Sequence, residues 1–165
     1  MTENSVVLYK DSCTKLAEIL TPTPSYEQIK ALEDFINLIP GVITDYPTTH
    51  RFCDGLYSRE IEIPEDMIIV GKMHIRENFL VILEGDMTVW TETGMKRLNT
   101  PQILLTKPGT KRVFYAHKYS RIATFHGIYA DTKEEAESQL FAVNEREFLN
   151  LLEGGLKGYL EHSNE

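Results

Sequence analysis

The feature that most constrains this chain is a change of hydrophobic period near residue 51. Beyond it, Tyr57, Arg59, Ile61 and Ile63 alternate with Ser58, Glu60 and Glu62, a two-residue repeat that sorts side chains onto the two faces of a strand. Strand-like runs follow at Met67–Ile75, Phe79–Leu83, Met87–Thr91, Gln102–Thr106, Arg112–Ala116 and Arg121–Tyr129, separated by breaks such as Pro64–Asp66, Glu84–Asp86, Asn99–Pro101 and Lys107–Thr110. None of the breaks has the length of a crossover helix, so a parallel sheet is disfavoured. Many short strands at even spacing predict an antiparallel sandwich or barrel.

The flanks have the helical period instead. After the stiff connector TPTP, Ser25 and Gln28 fit a capping box, and Ile29, Leu32, Ile36 and Ile39 recur at helical spacing, with Phe35 widening the stripe and Pro40–Gly41 as the stop. Such a helix covers a sheet or pairs with a second subunit. In the tail, Asp131 and Glu134 frame one helix start and Asn144 and Glu147 another. Ala136 and Leu140 supply the first apolar stripe; Phe148, Leu149 and Leu152 supply the second, and Gly154–Gly155 should end it. The expected organisation is an N-terminal segment 1–49 with a helix at about 25–39, a β-barrel over 50–130, and a helical extension over 131–165.

Bulk properties exclude several functions. A formal net charge of −8 argues against nonspecific adhesion to nucleic acid, although a local cationic pocket remains compatible with it. Cys13 and Cys53 are too few and too far apart for a disulfide framework; they read as small apolar residues in a reducing compartment. The opening MTENSVVLYKDS lacks a basic start and a sustained apolar core, and no run reaches membrane-spanning length, so a cytoplasmic protein is expected, in the host cytoplasm if phage-encoded.

The stretch GKMHIRENFLVILEGDMTVWTETGMKRLNTPQILLTKPGTKR, residues 71–112, resembles the two-part motif of the cupin superfamily, in which two His, a Glu and a third His hold a divalent metal. Aligned on Gly85 and Gly109, those four positions read Lys72, His74, Asn78 and Arg112. The chain also resembles a narrower group of cupin-like proteins encoded by tailed bacteriophages, mostly of unassigned function. The shared phrases are HRFCDGLYSREIEIP, VGKMH, VILEGDMTVWTETGMKRL, KPGTKRVFYAH and ATFHG, about half of the chain. The resemblance implies a mainly β, cupin-like double-stranded β-helix, or jelly-roll barrel. It does not carry over metal-dependent activity, because one imidazole and one amide between two cations repel a divalent cation and suit an anion.

Strand parity places Lys72 with His74 on one face and Asn78 with Leu80 and Ile82 on another inward face, while Arg112 should enter from the opposing sheet. His126 reads as a mouth or interior residue, and Arg59 and Tyr57 as inward-facing by parity. The candidate ligand-binding set is therefore Lys72, His74, Asn78, Arg112, His126, Arg59 and Tyr57, with no catalytic residue, metal ligand or cofactor assigned. The bland reading has Lys72 and Arg112 snorkelling to the rim, Arg59 as an edge-strand surface charge or a salt-bridge partner, and His74 as a hydrogen-bonded core residue. Trp90, Phe114 and Tyr115 read as core or interface. No nucleophile elbow or glycine-rich phosphate loop occurs, and the five His show no metal-ligand spacing.

The expected function is noncatalytic binding of an anionic small molecule in a metal-free cationic pocket, by a homodimer or higher oligomer that engages neither nucleic acid nor membrane. In a phage setting, a nucleotide signal of bacterial immunity is one candidate ligand. The rival readings are an enzyme, metal-dependent with unusual ligands or a metal-free acid–base isomerase using His74 and Tyr57, and a structural or regulatory oligomer without ligand.

Overall fold

The computed structural model describes residues 20–38, 46–91 and 93–162. Their order is α1 (Tyr26–Asn37), β1 (Thr48–Cys53), β2 (Leu56–Ile63), β3 (Ile68–Val70), β4 (Met73–His74), β5 (Asn78–Glu84), β6 (Asp86–Thr91), β7 (Gly94–Asn99), β8 (Gln102–Thr106), β9 (Val113–Ala116), β10 (Ser120–His126), α2 (Lys133–Leu140), β11 (Phe141–Ala142) and α3 (Glu145–His162). Cys13, Ile39 and the expected stop at Pro40–Gly41 lie outside the described residues.

From β2 to β10 the chain is one long antiparallel hairpin, with arms that pair β2 with β10, β3 with β9, β5 with β8 and β6 with β7. Rolling that hairpin lets β10 also pair with β5 and β6 with β9. The result is two facing sheets, ordered β1-β2-β10-β5-β8 and β3-β9-β6-β7, plus a small β11-β4 pair. This is the wrapping of a jelly roll. Gly85 makes the turn from β5 to β6 at φ +109°, where a Cβ would also collide with Ser120.

Alternate residues build the interior: Ile63, Ile69, Leu80, Ile82, Met87, Val89, Phe114, Ala116 and Ile122 fill the barrel floor. The four-stranded sheet is buried on its other face too, since Trp90, Val113 and Tyr115 pack with Leu20 and Ile29 beneath α1. The capping box at Ser25 and Gln28 forms as expected. Its stripe is only half used, because Ile29 and Leu32 dock on the chain's own barrel while Phe35 and Leu38 remain exposed. Lys111, 3.0 Å from both carboxylate oxygens of Glu33, ties α1 to the loop before β9.

Several expectations need correction. The run Met67–Ile75 divides into β3 and β4, because the Gly71 N–H bonds the Arg112 carbonyl (2.8 Å) and the chain then leaves β9 to pair with β11. The last barrel strand stops at His126, short of Tyr129. The first tail helix is capped by Thr132 rather than Asp131, and Gly154–Gly155 lie inside α3, which runs to His162. Glycine costs a helix about 1 kcal/mol but does not forbid it. Cys53 is exposed, not buried. No helix among the described residues is long and apolar enough to cross a membrane.

Candidate functional site

The interior changes character toward one end. Across the five-stranded sheet, Arg59 is the register partner of Thr124, Thr124 of Leu80, Tyr57 of His126, and Asn78 of Thr106. Polar side chains therefore form two rows above the apolar floor. From the opposing side come Gly71, Lys72, His74, Thr110 and Arg112. Between them lies a cavity of about 60 Å³ whose floor is Ile61, Ile69, Leu80, Phe114 and Ile122. That is room for roughly four waters. Phe141, delivered by the β11–β4 pairing opposite His74, closes the mouth.

Four of the expected residues line this cavity: Arg59, Lys72, His74 and Arg112. They differ in what holds them. Arg112 is buried and donates to the Thr106 hydroxyl and, from Nη2, to the Leu105 carbonyl at 3.1 Å. Lys72 sits at the rim, 3.0 Å from Glu137 and with its ammonium 5.0 Å from the Phe141 ring centre. Arg59 is the exception. Its guanidinium carbon lies 5.8 Å from the Phe141 ring centre, and its side chain makes no hydrogen bond or ion pair among the described residues. No carboxylate occurs among the described lining residues. The reading of Arg59 as an edge charge therefore fails, and so does that of Arg112 snorkelling to the rim.

Asn78, His126 and Tyr57 stand behind the lining. Asn78 Nδ2 donates to His74 Nδ1 (3.0 Å) and reaches the Arg76 carbonyl (3.4 Å), an atom that can only accept, so the amide orientation is set. His74 Nδ1 is then an acceptor, and the neutral ring carries its proton on Nε2. Burial, followed by His126, Arg112 and Arg59, pushes the His74 imidazole down to about 3. His126 stacks on His74 (centroids 5.5 Å apart, planes 12° from parallel) and on Tyr57 (5.8 Å, 28°). It is 1% exposed, yet neither ring nitrogen has a partner. Burial and then Arg59 push it down to about 4. Tyr57 is fully buried against Ile128, Ala136 and Leu140, with its hydroxyl 2.7 Å from His50 Nδ1.

The donor set does not fit a divalent cation. His74 offers Nδ1 to an amide, His126 lies parallel to it rather than converging, and two guanidiniums and an ammonium surround them. Among the described residues no three His, Cys, Asp or Glu side chains gather as a metal site. The sequence reading missed Phe141, Thr106, Thr110 and Thr124. The threonines carry no signal in a β-rich chain, and Phe141 falls in the stretch read as a helical extension.

No family model matches the chain, and no curated protein matches it. Similar solved structures include a cupin-2 domain protein from Shewanella frigidimarina (8% identity, TM-score 0.42, covering 58% of this chain and 91% of that one). A cupin superfamily protein from Desulfitobacterium hafniense is similar at 10% identity and TM-score 0.44, covering 67% and 98%. Salicylate 1,2-dioxygenase from Pseudaminobacter salicylatoxidans is similar at 11% identity and TM-score 0.48, covering 69% of this chain and about a third (34%) of that longer one. These likenesses concern architecture, and no chemistry is carried over from them.

Proposed function

We propose that this protein binds a small organic anion, without metal and without turnover, in the cationic end of its jelly roll. The observation that carries the reading is Arg59, a cavity-lining guanidinium that makes no hydrogen bond or ion pair among the described residues, facing a cavity with two further cations and no carboxylate among its described lining. A bound anion supplies the charged hydrogen-bond partner that this half-buried guanidinium lacks. Arg112 stands beside it, held in place by Thr106 and Leu105, and His74 supplies an uncharged Nε2–H. A neutral N–H donor suits a carboxylate better than it suits proton abstraction, which favours a binder over an acid–base enzyme.

Size sets the ligand class. About 60 Å³ accepts a carboxylate or phosphate head with a few carbons, whereas pockets for drug-sized ligands start at roughly 300 Å³. The apolar floor favours a short monocarboxylate whose tail points to Ile61 and Ile122. A nucleotide, the ligand suggested by a phage setting, would place only its phosphate inside. Its remainder would have to lie in the adjoining groove of about 510 Å³, which shares Lys72 and Phe141 with the cavity.

A thermal-shift panel of short monocarboxylates, 2-oxo acids, dicarboxylates, phosphate and nucleoside monophosphates tests this. At one hundred times Kd, stabilisation is about 2.7 kcal/mol, or roughly 5–10 °C for a chain of this size. Short monocarboxylates should shift the wild type and not Arg59→Met. Equal shifts in both proteins, or none with any anion, would overturn the reading. Recovery of the bound compound unchanged separates a binder from an enzyme.

A further inference from the structure

The outer face of the five-stranded sheet is divided. On the β1–β2 side it is charged, and its charges are already matched: Arg51 meets Glu60 at 2.7 Å, and Arg121 spans Glu60 at 3.5 Å and Glu84 at 3.8 Å. On the β5–β8 side it is apolar. Phe79 is the register partner of both Phe125 and Leu105, and Val81 of Ile103, so these side chains form one unbroken patch ending at β8, the edge strand. Four of its large members are open to solvent: Phe79 by 55%, Leu83 by 38%, Ile103 by 67% and Leu105 by 49%.

We infer that this face is the seat of a second copy of the same chain, joined by a two-fold axis that lays apolar half on apolar half. Three observations favour a second copy over a foreign partner. A fully exposed large side chain presents about 200 Å², so these exposures amount to roughly 400 Å² of apolar surface. A standard interface buries about 800 Å² per partner, of which about 56–65% is apolar, and the patch supplies most of that share. Both flanking guanidiniums are paired within the chain, so no free cation on this side selects an acidic partner. Lastly, an apolar edge strand left uncovered is an aggregation hazard that a closed two-fold contact removes without needing anything foreign. The place is not α1, whose buried side chains already sit on the chain's own barrel.

Sedimentation velocity of the untagged protein from 1 to 100 µM tests this, with hydrogen exchange as a second readout. The wild type should be a dimer, Ile103→Glu and Phe79→Glu should shift it to monomer with unchanged far-UV circular dichroism, and Phe35→Glu with Leu38→Glu on α1 should leave the dimer intact. Backbone amides of β5 and β8 should gain protection with concentration, while those of α1 should not. A wild-type monomer at 100 µM, a dimer unaffected by Ile103→Glu, or one lost through the α1 changes would overturn the inference. These outcomes are independent of anion binding, since the cavity opens on the other side of the sheet.

Discussion

Acidification from pH 7 to pH 5 should destabilise the barrel by about 4 kcal/mol through His74 and His126 alone. In the unfolded chain both imidazoles titrate near 6.5, so at pH 5 each gains about 2 kcal/mol from protonation. In the folded chain His74 is held at about 3 and His126 at about 4, so both remain neutral at pH 5 and gain almost nothing. The unfolded state thus binds more protons below 6.5, and stability must fall as pH falls through that window. Above pH 7 both states are neutral, and these two groups contribute no slope. Burial pushes His50 and His117 in the same direction, which makes a substitution the proper control. His126→Phe keeps a ring between Tyr57 and His74 but removes one titrating group and two orphaned nitrogens. Its loss between pH 7 and pH 5 should be smaller than that of the wild type by about 2 kcal/mol. At pH 7 it should be more stable by roughly 1–3 kcal/mol, the cost of an unsatisfied buried polar group. Urea unfolding followed by Trp90 fluorescence measures both, since Trp90 is the single tryptophan and is 1% exposed. An identical pH slope in wild type and His126→Phe would refute the reasoning.

Three further outcomes are expected from the same unfolding assay and the anion titration. Gly85→Ala should cost more than 1 kcal/mol, because its φ of +109° is hostile to a side chain and the added methyl meets Ser120. Leu140→Ala should cost about 2–5 kcal/mol by opening a cavity beside Tyr57 and Ala136. Lys72→Met should change stability by less than about 1 kcal/mol, because the Glu137 pair sits at the exposed rim, and should weaken anion binding less than Arg59→Met does.

How much of this was readable in advance depended on whether a residue's environment is local. The alternation from Tyr57 to Ile63 survives folding because one face of β2 meets the core along its whole length, so Arg59 could be placed inward by parity. Strand β7, Gly94–Asn99, escaped notice because it is an edge strand with mostly exposed side chains, and Lys96 and Arg97 give it no apolar alternation. Strand β11 is two residues long and exists only because Phe141 pairs with His74, a contact across 67 positions that no window could show. At the site, side-chain type located the cations, but not their roles. Arg112 and Arg59 stand in the same candidate set by sequence, yet the structure ties Arg112 to Thr106 and Leu105 and gives Arg59 no hydrogen bond or ion pair among the described residues. Ring stacking and the orphaned nitrogens of His126 depend on three strands meeting, which sequence spacing does not encode.

The central claim is that Arg59 holds an anion inside the barrel. Calorimetric titration of propionate, with inorganic phosphate as a parallel arm, into wild type and Arg59→Met tests it most directly. The wild type should bind at least one of the two at a single site per chain. Arg59→Met, with unchanged circular dichroism, should bind it more weakly by about 2 kcal/mol or more, roughly thirtyfold. Equal affinity in the two proteins, or no binding of either anion to the wild type, would contradict the account.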